Sequence, residues 1–77
     1  MKNTNGFIVE ISSDLNYENI VANILYEEET VAIISQEKGV GNFEIEIVPS
    51  FDAQPWKFSL DDFIKAILLA KKSLIES

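Results

Sequence analysis

The sequence contains no cysteine, no histidine and no arginine. The first absence excludes a disulfide framework and a thiol nucleophile, the second an imidazole base, and the two together the ordinary zinc-ligand sets. Without arginine the chain lacks the side chain best suited to bidentate phosphate recognition. Six lysines stand against thirteen acids, for a net charge of −7. That balance disfavours a phosphate backbone and suits a basic protein partner, so no nucleic acid is expected. Glycine and proline are scarce, at three and two residues, while 47% of the chain is apolar and 25% charged, which excludes wholesale disorder. No apolar run approaches the roughly 20 residues that span a bilayer. The apolar stretch after Gly6 is broken at Glu10, short of the about 7–15 residues of a secretory signal. No membrane association is expected, and a cytoplasmic location follows, in keeping with the lack of cysteine.

The length suits a single domain over 1–77. Residues 1–5 read as a flexible tail, 7–48 as a sheet, 49–58 as a loop and 59–76 as a helix. Phe7 to Ile11 is a short strand, stopped by Ser12-Ser13-Asp14, whose side chains compete for the backbone. Leu15 and Tyr17 beyond it are expected to fold back onto the core. Further strands run over 20–27 and 30–37, turning at Glu28-Glu29, and over 43–48, after Gly39-Val40-Gly41-Asn42 and before Pro49. Phe43, Ile45 and Ile47 alternate with Glu44 and Glu46, so period two places the apolar set inward and both carboxylates outward.

The segment from Ser59 to Ile75 carries the signals of a helix. Ser59 with Asp62 forms a capping-box variant, and Phe58 with Phe63 a hydrophobic staple. Asp61 and Asp62 meet the positive end of the macrodipole, and Lys71 and Lys72 the negative end. Leu60, Phe63, Ile64, Ile67, Leu74 and Ile75 make an apolar stripe at 3.6 spacing, from which Leu69 points away. The fold expected is α+β, a four-stranded antiparallel meander (ββββα) with one C-terminal helix packed on one face.

The candidate site residues are acids and one aromatic. Glu27-Glu28-Glu29 is the densest charge run, and Glu44 with Glu46 forms a second acidic pair. The run reads as a solvated hairpin tip or a knob for a basic partner. It lacks the glycine turn and alternating oxygen ligands of a calcium loop, so no metal is expected. Glu44 and Glu46 share an exposed strand face with no cleft to separate their pKa values, and catalysis by the pair is not expected. Gly39-Val40-Gly41 joins two strands, whereas phosphate loops lead into a helix, so no nucleotide cofactor is expected; Val40 is a candidate contact. Trp56 either closes the core or anchors an interface. Residues 1–58 hold ten acids and three lysines, residues 59–77 three of each, so the whole imbalance belongs to the sheet and its loops.

In its element order the chain resembles two groups. One is the Whirly-like and transcription-coactivator group, which binds single-stranded DNA through basic and aromatic sheet surfaces. The absence of arginine and the charge of −7 depart from that pattern. The other is the small immunity proteins of polymorphic toxin systems. The stretch from Tyr26 to Glu37, the strand Glu44-Ile45-Glu46-Ile47, and Trp56 with Phe58 to Phe63 look like such proteins in style. That resemblance implies a non-enzymatic, toxin-neutralising role. No functional residue is carried over from the resemblance; charge makes Glu27, Glu28, Glu29, Glu44 and Glu46, and interface preference makes Trp56, the expected partner-binding residues, facing a basic toxin domain. A structural or regulatory dimerisation module is the alternative. Apolar residues on both faces of the middle strands, with one helix to cover one face, predict a homodimer through Val21, Leu25, Ala32 and Ile34.

Overall fold

The structure, a computed structural model, describes residues 2–39 and 41–77. Val40, considered above as a contact, lies outside them. Five strands precede one helix: β1 (Lys2–Thr4), β2 (Phe7–Ser12), β3 (Val21–Tyr26), β4 (Glu29–Ser35), β5 (Glu44–Ile47) and α1 (Leu60–Ile75). The strands form one antiparallel sheet in chain order. The fold is α+β, with one strand more than the sequence reading expects.

That extra strand is the segment read as a tail. Asn5 (φ 47°) and Gly6 (φ 90°) form a two-residue turn of positive φ, whose twist matches that of antiparallel strands. Lys2, Asn3 and Thr4 consequently pair with Val9, Ile8 and Phe7. Asn-Gly is the strongest short hairpin signal a sequence carries. The link from β3 to β4 turns in the same way on Glu27 (φ 50°) and Glu28 (φ 70°), one position earlier than expected.

The mixed apolar pattern of β3 and β4 resolves through a bulge. Ala22 pairs with Ile34 and Ile24 with Ala32, but Leu25 pairs with Thr30, which leaves Val31 as the extra residue. Val31 thereby joins Ala32 and Ile34 on the helix side, where all three are buried. The four residues expected to form a dimer patch do not share a face. Ala32 and Ile34 lie in the core on the helix side of the sheet, Val21 is fully buried on the outer side, and Leu25 alone is only half-buried. Three of the four are interior to the chain itself, so this set does not make a surface for a second copy.

The chain covers part of its own outer face. The loop after β2 crosses it, and the Tyr17 hydroxyl donates to Glu46 Oε1 on β5 at 2.8 Å. Glu37 pins the same loop by accepting the backbone N–H groups of Glu18 and Asn19, together with the Asn19 side-chain amide at 2.9 Å. Leu15, expected to fold inward beside Tyr17, points to solvent.

The helix starts as its signals require. Ser59 Oγ accepts the Asp62 N–H at 3.4 Å, and the Phe58 and Phe63 rings meet at 5.4 Å between centroids. Its buried side keeps Phe63, Ile67 and Leu74 of the expected stripe but not Leu60, Ile64 and Ile75, and Leu69, expected to point away, packs against the core. Ala66, Ala70, Ser73 and Leu74 are buried, with Phe63, Ile67 and Leu69 packed around them. Leu60, Ile64 and Ile75 are exposed, as is Leu68. Small side chains at 66, 70 and 73 let the helix axis approach the sheet, and this close contact outweighs the burial of larger residues on another side. The helix lies over β1, β2 and β3.

Ser73 Oγ is buried there without a hydrogen-bond partner among the described residues. An unpaired buried hydroxyl costs about 1–3 kcal/mol. Ser73→Ala is therefore expected to raise stability by about 1 kcal/mol in urea unfolding, aided by the better helix propensity of alanine. A less stable variant would contradict this packing.

Candidate protein-interaction surface

The helix covers three strands of five, and that leaves the inner side of β5 open. Ile45 and Ile47 point to the helix side, opposite Ile34 and Ala32, yet they remain 44% and 56% exposed. Between β5 and α1 lie two apolar hollows. The first, about 280 Å³, is lined by Val31, Ile47, Trp56, Phe58, Leu60 and Phe63. The second, about 200 Å³, is lined by Ile34, Phe43, Glu44, Ile45, Ile67 and Lys71. Beyond Leu60, the helix residues Ile64 and Leu68 are also exposed, at a spacing of four residues that turns them progressively away from the buried side of the helix. Inward alternation in β5 holds as expected, but inward does not mean covered here. The spacing of Ala66, Ala70 and Ser73 is the sequence signal that could have placed Leu60, Ile64 and Leu68 outside.

The candidate acids fall into three places. Glu27 and Glu28 stand exposed at the β3–β4 tip. Glu29 is half-buried, and its Oε1 accepts the Phe51 N–H at 3.0 Å, so it anchors the loop after β5. Glu44 and Glu46 lie on the other side of β5, where Glu44 pairs with Lys38 at 3.1 Å and Glu46 receives the Tyr17 hydroxyl. The tip and Glu44 sit at opposite ends of β4, separated by about 20 Å at about 3.3 Å per residue. The structure does not bring the five glutamates into one patch.

Trp56 belongs to an aromatic cluster that closes the end of the core. Its ring stacks on Phe58 at 5.3 Å, stands edge-on to Tyr26 at 6.4 Å, and donates its indole N–H to the Val48 carbonyl at 2.9 Å. Phe7 sits at the middle of this cluster, 4.9 Å from Phe58 and 5.6 Å from Phe63. The remaining edge of Trp56 lines the first hollow, so packing and accessibility meet in one side chain.

Among the described residues no group of three or more acids is placed to hold a metal ion, and no helix is long and apolar enough to cross a membrane. Comparison with protein-family models, with curated proteins and with solved structures finds no match to this chain.

Two hydrogen-bonded groups across the outer face set its response to pH. The bond to Glu46 holds the Tyr17 phenol above its ordinary pKa, with partial desolvation and the charges of Glu46, Asp14 and Glu37 adding to the shift. The raised folded value means that this contact stabilises the fold at neutral pH, and the gain is lost as pH rises through that value. Glu37 is shifted the other way, its carboxylate held below the usual range first by the Glu18 N–H and then by Asn19. Its contribution is present above the ordinary carboxylate range and is lost as pH falls through the lowered folded value. In an NMR titration Tyr17 is expected to titrate above a free phenol and to move back toward it in Glu46→Gln. An unchanged Tyr17 titration in that variant would contradict the contact.

Proposed function

We propose that this chain is a non-enzymatic protein-interaction domain whose acidic β3–β4 tip meets a basic partner, acting as an immunity-type protein that blocks a basic toxin domain. The observation that supports this best is the β3–β4 tip. Glu27 and Glu28 both occupy the left-handed region, at φ 50° and 70°. Asparagine and glycine fill such turns at far lower cost, whereas each ordinary L-residue there loses about 1–2 kcal/mol. Neither ion pair among the described residues involves these two side chains. Two exposed carboxylates are therefore kept where the backbone disfavours them, a pattern that marks sites retained for recognition rather than for folding.

Charge at this tip would speed association with a basic surface and disfavour wrong partners. The zero net charge of residues 59–77 leaves the whole excess on the sheet and its loops, in keeping with recognition from that side. The test uses the double variant Glu27→Asn/Glu28→Gly, co-expressed with any toxin-like protein found to be encoded beside its gene; the absence of such a neighbour would itself overturn the toxin-neutralising reading. The variant is expected to unfold about 1–2 kcal/mol later in urea and yet to lose protection of the cells. Protection equal to that of the parent chain, in a variant shown to be more stable, would overturn the role given to the tip. Failure of the parent chain to protect would overturn the toxin-neutralising reading itself.

A further inference from the structure

Beyond the tip, β5 has the geometry of a receptor for one more strand. It is the last strand of the sheet, bonded on one side only to β4, and all four of its residues are exposed. The two hollows between β5 and α1 open beside Ile47 and Ile45 respectively. Those residues are two positions apart, about 6–7 Å along a strand, which is the repeat at which an added strand presents side chains to one face. Main-chain bonds to the free edge would supply affinity, and the hollows would accept alternate apolar side chains.

The outer side of β5 decides which strand fits. Antiparallel partners place directly opposed residues on the same face. If a second copy added its own β5 in this way with the apolar sides aligned, the register that pairs 44 with 46 would set every glutamate opposite another, and a shift of one pleat would still set Glu46 opposite Glu46, an arrangement that destabilises a sheet. A strand with lysine or arginine at those positions would instead meet Glu44 and Glu46 with opposite charge. We infer that the β5 edge and its two hollows bind an extended segment of a basic protein, in which lysine or arginine alternates with apolar residues. This deepens the reading above, on which it rests, by assigning a second contact and its mode of pairing.

The probe is a capped seven-residue peptide of alternating lysine and valine, titrated to millimolar concentration into isotope-labelled protein. Amide shifts are expected at Glu44 to Ile47 and side-chain shifts at Leu60 and Ile67. Those β5 amides that do not bond to β4 should also gain protection from hydrogen exchange. A peptide with the same lysines and valines in two blocks, which lacks the alternation, should bind on the order of tenfold more weakly, as should the alternating peptide to Glu44→Lys/Glu46→Lys. Ile47→Lys, a change at an exposed position, should abolish the shifts while leaving the unfolding curve nearly in place. Equal binding of the two peptides, shifts confined to Glu27 and Glu28, or no shifts at β5 would each overturn the strand-addition inference while leaving the tip reading standing. Self-association through β5 in the absence of peptide, seen by sedimentation, would also overturn it, since the occupant would then be a second copy. Strand addition without protection by the parent chain would have the opposite meaning, retaining the edge and removing the toxin reading.

Discussion

One helix must serve a five-stranded sheet, and the rest of the structure depends on that mismatch. A helix with its side chains is about 10–12 Å wide, whereas five strands at about 4.8 Å spacing extend over about 19 Å. The helix cannot cover all of them. Ala66, Ala70 and Ser73 commit it to β1, β2 and β3, where close approach makes a dense core around Phe7, Val9, Ile24 and Leu74. The β4 side of the core is completed by Val31, turned inward by the bulge, and by the aromatic cluster at the start of the helix. Nothing among the described residues then covers Ile45 and Ile47, which remain apolar and exposed.

The outer face meets the same shortage by another means. With no second helix, the loop after β2 folds across it and is fastened by hydrogen bonds from Tyr17 to Glu46 and from Glu18 and Asn19 to Glu37. Val21 and Ser35 are buried on that side, although the helix is on the other. Acids thus have two kinds of work in this chain. Glu29, Glu37 and Glu46 hold loops in place, while the side chains of Glu27 and Glu28 make no hydrogen bond or ion pair among the described residues and sit in a disfavoured backbone region. That division separates the tip from the carboxylates that the fold itself uses, whereas Glu46 both holds Tyr17 and lies on the outer side of the β5 edge.

Much of the local structure was legible because it depends on neighbours in sequence. Ser59 with Asp62, Phe58 with Phe63, and the alternation from Phe43 to Ile47 are relations within a few residues. The Ser59 cap and the aromatic staple form, and the alternation places Ile45 and Ile47 on the helix side. Only the reciprocal half of the capping box gives way, with Asp62 accepting from Asn5 instead. The features that were missed depend on distant contacts or on a weighing of size against proximity. Val31 can face inward only because Leu25 pairs with Thr30, a register set between strands. Leu60, Ile64 and Ile75 seemed core residues because they are large, but alanine and serine set the distance of closest approach. β1 is different, since Asn5-Gly6 announced it; the polar composition of residues 2–5 masked a turn signal that was present. The acidic candidates were found by charge alone, and charge does not report that they lie at two ends and on two faces of the sheet.

The central claim is that the inner side of β5 is open in the isolated chain while the neighbouring core is closed. Methyl relaxation by a soluble paramagnetic probe, measured on dilute monomeric protein, tests it directly. Strong broadening is expected at the methyl groups of Ile45, Ile47, Leu60 and Leu68, with those of Ile24, Ile34 and Leu74 unaffected. Protection of Ile45 and Ile47 to the level of Ile24 would show that the helix or a loop covers β5, and would contradict the account.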